Sequence, residues 1–343
     1  MIETIQNVFV QPPPSPPPSH ALSVLVLKKL GDTLRDEFAA VVRHLGEAEG
    51  LLVLVEPHEL APTAASVGPS AAAAYLDTYA PSEAARLHEC VDFVVCLGGD
   101  GLVLHASSLF ASAIPPVVSF NGGSLGFLAN HTFSEHAAAL SAVVRGRDGL
   151  DSCTASGDAP AAGVHVTLRM RLECTVLRHG RPVGPPIDVL NEVVVDRGAS
   201  PFLTKIECWE RDRLVTKVQA DGVMLATTTG STAYSVAAGG SMVHPNVPAI
   251  LFTPICPHSL SFRPVVLPDY AELELRIAGD TRCTAWVCFD GKKRTELLQG
   301  DSVAVRMSPN PVPTIAKADS TNDWFDTLNR CFGWNERLEQ RPM

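Results

Sequence analysis

Four short stretches combine glycine, hydroxyl and carboxylate groups in patterns that can do chemistry. The first is Leu97-Gly98-Gly99-Asp100-Gly101, directly after the apolar run 91–96 and before a helical pattern. Three glycines around one acid let the backbone turn tightly and approach a ligand without Cβ obstruction. The carboxyl end of a parallel strand is where open α/β sheets bind ligands, and backbone amides opening a helix suit phosphate. The same residues also fit a plain glycine turn with Asp100 capping the helix. The second stretch is Asn121-Gly-Gly-Ser-Leu-Gly-Phe127, again after an apolar run. Two such turns at successive strand ends make two backbone cradles, as a polyphosphate requires. The third is Asn191-Glu192 inside an apolar run, where a carboxylate is costly unless paired or bound to something. In the fourth, 219–234, six hydroxyl side chains fall within the eight residues 227–234 around one glycine. They offer donors and acceptors to a sugar or base, with the Tyr234 phenol at the end. A Thr-rich strand entering a Ser/Thr-capped helix has the same composition.

These residues need elements to hold them. Between 21 and 150, apolar runs (21–27, 51–55, 91–97 and 116–120) alternate with helical spacing over 33–45 and an Ala-rich stretch over 61–74. Fully apolar strands alternating with helices predict a parallel sheet covered on both faces, an α/β domain carrying both glycine turns. Residues 151–163 are small and polar and read as a linker. Beyond it Val164, Val166, Leu168, Met170, Leu172, Cys174 and Val176 are apolar at every second position, seven successive matches to the strand period. Residues 205–209 and 214–218 flank a charged turn as a hairpin would, and 273–277 and 303–307 alternate again. An all-β, antiparallel domain is expected over 164–310. In the last segment, 311–343, an amphipathic stretch from 322 to 338 carries Trp324, Phe325, Leu328, Phe332 and Trp334. It predicts a helix that returns to the first domain and buries those aromatics. Residues 1–20 form a Pro-rich tail with a polyproline run over 11–19.

Composition narrows the class. Hydrophobic residues make up 46% and charged residues 19% of 343, with mean hydropathy +0.13, which excludes wholesale disorder. The net charge of −10 leaves no global basic field for nucleic acid or anionic membranes. Runs such as 51–55 fall far short of the roughly 18 apolar residues of a membrane span. A soluble protein of two main domains is expected. The nine cysteines show no two-residue gap of a zinc or redox motif, so no metal-ligating set is expected and a reducing compartment fits. The first twenty residues contain no Lys or Arg and resemble neither a secretory signal nor a transit peptide.

Taken together and in this order, the four stretches resemble NAD kinases. That family carries a Gly-Gly-Asp-Gly turn, an Asn-x-Gly-x-Leu-Gly-Phe turn, an Asn-Glu or Asn-Asp pair, and Asp-Gly followed by Thr-Gly-Ser-Thr-Ala-Tyr. The resemblance extends through Gly239-Gly-Ser-Met-Val-His-Pro245, the block 254–264 and Phe289-Asp-Gly-Lys292. These later blocks, with Asp323-Trp324-Phe325 and 334–338, resemble the plant and green-algal plastid branch. Coverage runs from about residue 22 to the C-terminus. Two positions depart from the pattern. Thr228 stands where most members have Pro, and is expected to hold an extended backbone there; Leu102 stands where Thr is frequent.

The resemblance implies transfer of the γ-phosphoryl group of ATP to the 2′-hydroxyl of the adenosine ribose of NAD, giving NADP and ADP, with Mg²⁺ or another divalent cation on the ATP phosphates. It makes Asp100 the catalytic candidate, as base, metal contact or ribose anchor. Gly98 and Gly99 shape this turn, and Asp100, Gly101 and His105 lie on its NAD side. Asn121, Gly123 and Gly126 belong to the ATP cradle. Asn191 and Glu192 bind the dinucleotide, and Asp221 with Thr232, Ala233, Tyr234 and Ser235 completes the pocket at the domain junction, with Gln219 and Lys292 at its rim. His105 fits a surface helix histidine equally well. The family also implies a homo-oligomer and, for the plastid branch, a chloroplast location, with the cytoplasm as the alternative. Plastid members have long N-terminal extensions, so this chain reads as a fragment or short form. No basic amphipathic helix is visible, so calmodulin control is not expected in it. Lipid kinases share the first turn but should lack the Thr-Gly-Ser-Thr-Ala-Tyr block, and phosphofructokinases expect a different second half. A silent NAD sensor should have lost Asp100 or a flanking glycine.

Overall fold

The apolar runs of the first part form the strands Ser23–Lys28, Leu52–Val55, Phe93–Leu97 and Val117–Asn121. A computed structural model describes residues 7–9, 22–110, 112–123, 126–152 and 164–335; the polyproline run and most of the expected linker lie outside these. Among the described residues one compact unit takes those up to Phe110, Ile114–Leu168, and those from Pro313 on. The other takes Arg169–Val312 with Ser112 and Ala113.

In the first unit, Leu76–Thr78, Leu52–Val55, Ser23–Lys28, Phe93–Leu97 and Val117–Asn121 lie side by side in that order, all parallel. Every residue of Ser23–Lys28 and Phe93–Leu97 is buried, as strands covered on both faces must be. Helices Arg35–Arg43, Leu60–Val67, Pro69–Tyr75, Asp100–Leu109 and His136–Ser152 alternate with them. The chain proceeds from Ser23–Lys28 to one side of the sheet and from Phe93–Leu97 to the other. The strand order therefore reverses between these two neighbours, the place where such sheets bind ligands. Gly98-Gly99-Asp100-Gly101 begins there, and Lys29 N–H donates to Leu97 O at 3.0 Å across the gap.

The second unit is built on a twelve-stranded sheet whose pairings are all antiparallel. Its hairpin of Thr204–Glu210 and Arg213–Thr227 surrounds the charged turn read from the sequence. Apolar side chains of Leu172, Val193, Ile206, Val223, Leu275 and Val303 fill one face of the sheet.

Three expectations are corrected. The alternation over 164–176 does not lie wholly in the β-domain but is divided between two strands of different sheets. His165–Arg169 joins the first sheet beside Asn7–Phe9, and Leu172–Arg178 joins the second. The break falls at Met170–Arg171, and the arginine there is fully buried rather than facing solvent. Its guanidinium donates to Asn310 O and Ser112 O, each at 2.6 Å, and lies 3.3 Å from the Asp188 carboxylate. The terminal helix is Ser320–Phe332, capped by the Asp319 carboxylate and ended by Gly333 in the left-handed conformation. It buries Asp323, Thr327 and Leu328, while Phe325, Phe332 and Trp334 stay 43–50% exposed. Thr228 is helical (φ −64°, ψ −31°), not extended, and its hydroxyl donates to Pro245 O at 3.1 Å. Its φ suits proline; the hydroxyl bond is what proline lacks.

Candidate functional site

Asp100 is the first residue of the helix Asp100–Leu109, and its side chain does not cap that helix. The carboxylate instead turns to the second glycine turn and accepts the backbone N–H of Phe127 at 2.8 Å and of Leu128 at 2.9 Å. Gly126 follows from this arrangement, because a Cβ there would overlap the Asp100 carboxyl group. One acid thus ties the two glycine turns together. A Cβ on Gly99 or Gly101 would meet nothing within 4 Å, so both residues face open space. Gly98 packs against Lys29 and Leu102. Asn121 folds its own turn, its Oδ1 accepting Gly123 N–H at 2.7 Å, and Gly123 has a φ of 138° that side-chain-bearing residues rarely adopt. Ser124 and Leu125 lie outside the described residues.

His105, one turn along the helix, places Nε2 3.0 Å from Glu56 Oε1. That hydrogen bond holds the Glu56 carboxyl below its usual range, outweighing partial burial. Glu56 was not singled out from the sequence. The available signal is its position, the acid directly after the apolar strand Leu52–Val55. Behind Asp100, the Phe127 ring packs on Phe332 of the terminal helix with centroids 5.7 Å apart.

In the second unit the Asn191-Glu192 pair is held by a residue the sequence reading left without a role. The Asp290 carboxylate accepts three successive backbone N–H groups, from Leu190 at 2.8 Å, Asn191 at 2.8 Å and Glu192 at 3.1 Å. Asp290 N–H donates back to Glu192 O at 3.0 Å. Asp290 and Gly291 form the turn of the hairpin Ala285–Phe289 and Lys292–Leu297, both with positive φ, as an Asp-Gly turn allows. The Thr-Gly-Ser-Thr turn locks onto the same segment. Thr227 N–H donates to Asn191 O at 2.8 Å and the Thr227 hydroxyl to Leu190 O at 2.6 Å. A Cβ on Gly230 would overlap the Asn191 carbonyl.

Glu192 is 8% exposed. Its Oε2 is buried without a hydrogen-bond partner, and the Tyr234 backbone N–H stands near enough to favour the charged form. Burial first, and the neighbouring Asp290 charge second, push its pKa up to about 7. The Tyr234 side chain is 44% exposed. Its phenol is raised by partial burial and then by Asp196, Cys256, Asp221 and Glu192. Asp221 pairs with Arg197 at 2.6 Å. The Thr232 hydroxyl donates to Thr229 O at 3.2 Å, and Ala233 precedes the short helix Tyr234–Ala237. Ser235 is fully buried with Oγ 2.9 Å from Thr253 Oγ1, so it braces the fold of this segment. The Gln219 carbonyl accepts His258 N–H, and Lys292 stands exposed beside the Asp290 turn.

Comparison with known proteins covers both halves of this description. Models of the ATP-NAD kinase N-terminal and C-terminal domains match residues 41–148 and 190–317, in that order. Over 324 residues the chain is 55% identical to chloroplastic NAD kinase 2 of Arabidopsis thaliana and to a probable chloroplastic NAD kinase 2 of Oryza sativa subsp. japonica. Each alignment takes in 94% of this chain but only 31% of the relative, so the chain spans about a third of these plant proteins. The crystal structure of a yeast NADH kinase complexed with NADH superposes with a TM-score of 0.81 at 31% identity, covering 98% of this chain and 96% of that one. The two domain models contain Asp100 and the Asn191–Asp290 cluster, and the yeast structure is matched nearly end to end: the chain belongs to the NAD kinase family.

Proposed function

We propose that this chain transfers the γ-phosphoryl group of ATP to the 2′-hydroxyl of the adenosine ribose of NAD, giving NADP and ADP. The observation that carries the reading is Asp100. It is held by two amides at the point where strand order reverses, beside two glycines whose open faces neither packing nor backbone conformation explains. Each carboxylate oxygen keeps a lone pair beyond its amide bond, enough to take a proton from a ribose hydroxyl. As the 2′-oxygen bonds to the γ-phosphorus, its proton passes to Asp100, the bond to the bridging oxygen breaks, and ADP departs. Gly123, Gly126 and Asn121 shape the cradle assigned to the ATP phosphates, and His105 and Gly101 belong to the NAD side. Asn191, Glu192 and Tyr234 are assigned to the dinucleotide. The divalent cation is taken as part of the MgATP substrate, bound mainly through the ATP phosphates, whose charge it neutralises.

The plant relatives favour a plastid location, and among the described residues no helix is long and apolar enough to cross a membrane. A homo-oligomer belongs to the same reading, supported by exposed Val215, Val266 and Tyr270 on the second unit. The test supplies MgATP with NAD, NADH, diacylglycerol or fructose 6-phosphate in turn and identifies the phosphorylated product. NADH is included because the similar yeast structure holds it. A phosphorylated dinucleotide is expected; phosphorylation of the lipid or the sugar phosphate alone contradicts the reading.

A further inference from the structure

The hydrogen bonds of Asp290 do more than close a hairpin. Three consecutive amides pointing at one carboxylate fix the backbone of residues 190–192 from one side. Thr227 N–H and the close approach of Gly230 fix it from the other. Asn191 is thereby held by both its N–H and its carbonyl. The Tyr234 backbone N–H, at the start of the helix Tyr234–Ala237, stands near the Glu192 carboxyl group and favours its charged form. Two carboxyl groups then share one buried neighbourhood. Burial raises both, but three amides and Lys292 favour the charge on Asp290, whereas one amide favours it on Glu192, whose Oε2 has no partner. When one proton is available to such a pair, it goes to the group with less support for its charge.

We propose that Asp290 is a positioning residue for the dinucleotide: its carboxylate fixes the backbone of Asn191 and Glu192, and its charge stands beside the buried Glu192 carboxyl group. This rests on the assignment of Asn191, Glu192 and Tyr234 to the dinucleotide. The other groups facing Glu192 are few. Cys288 lies on the adjoining strand, the Tyr234 phenol on the helix above, and Asp196 and Asp221, paired with Arg294 and Arg197, farther along the strands. Asp290 alone is identified as a charge raising Glu192. Loss of the Glu192 proton leaves two adjacent negative charges, which disfavour a ligand carrying an anionic diphosphate. Dinucleotide affinity should therefore fall as pH rises through neutrality.

NAD binding is measured by calorimetric titration between pH 5.5 and 8.5, which needs no turnover, with NADP formation followed in parallel. Wild type should bind NAD more weakly above neutral pH, with an inflection near pH 7. Glu192→Gln, which keeps every Asp290 bond, should flatten that dependence. Asp290→Asn keeps a residue suited to the turn but replaces one acceptor oxygen with a donor. It should weaken NAD binding at least about tenfold, shift the inflection to lower pH, and leave the KM for ATP within about twofold. A pH dependence unchanged in Glu192→Gln overturns the proposal, whether or not Asp290→Asn folds. So does a folded Asp290→Asn that raises both substrate constants alike. Wild type that binds NAD without phosphorylating it contradicts the kinase reading only; wild type that binds no NAD contradicts both.

Discussion

Glu192 sits in a strand whose neighbours are apolar, and burial pushes its pKa up to about 7 against 4.5 for a free side chain. A carboxyl group raised in this way contributes stability below the unfolded value and loses it as pH climbs toward the folded one. With no substrate present, wild-type stability should fall relative to Glu192→Gln between pH 5 and 8, by a few kcal/mol at about 1.4 per pKa unit. Thermal melts of both proteins across that range check this, and parallel curves would contradict it. The sequence makes Glu192 visible, since a carboxylate in an apolar run requires a partner. It does not reveal the second carboxylate beside it, because Asp290 lies 98 residues away and reads locally as an ordinary Asp-Gly turn. His105 shows the same limit. Its helix is legible, but the Glu56 contact depends on which strands become neighbours.

At the scale of elements, the two glycine turns act as one unit because Asp100 accepts amides from the second. Gly126 shows how closely they fit. Its φ lies outside the left-handed region, so only the nearby carboxylate excludes a side chain. Gly126→Ala should displace either the turn or Asp100, and a shift near 1 Å at a reacting group costs about a hundredfold in turnover. Stability should fall by about 1–3 kcal/mol, the usual range for overpacking. Turnover within a few-fold of wild type would show that the Asp100 geometry has slack. The glycine spacing announces a tight turn, yet assigns the empty space to a ligand where an aspartate fills part of it. The parallel strands were legible because both faces are buried and each run is wholly apolar. The break at Met170 was not, since two strands in different sheets continue a single alternation and buried Arg171 occupies what reads as a solvent position. The terminal helix announced itself by its period, but Trp324 packs against Phe325 and Phe325 against Trp334 just beyond the helix, while Phe332 packs on Phe127.

At the scale of the whole molecule, the first unit supplies the proposed base and phosphate cradle, and the second supplies the proposed dinucleotide residues. Family membership was legible because motifs from both units stand in order along one chain. The supporting contacts of Glu56 and Asp290 required the fold. The central claim is that Asp100 removes the ribose proton in making NADP. The most direct test is the rate of NADP formation from MgATP and NAD by wild type and Asp100→Asn, measured side by side. Asparagine keeps the size and one acceptor oxygen for the second glycine turn, but it cannot take the proton. NADP should form with wild type, and the variant should be slower by about 10²–10⁴-fold, the usual contribution of a general base. An Asp100→Asn protein that makes NADP within a few-fold of wild type would contradict the account.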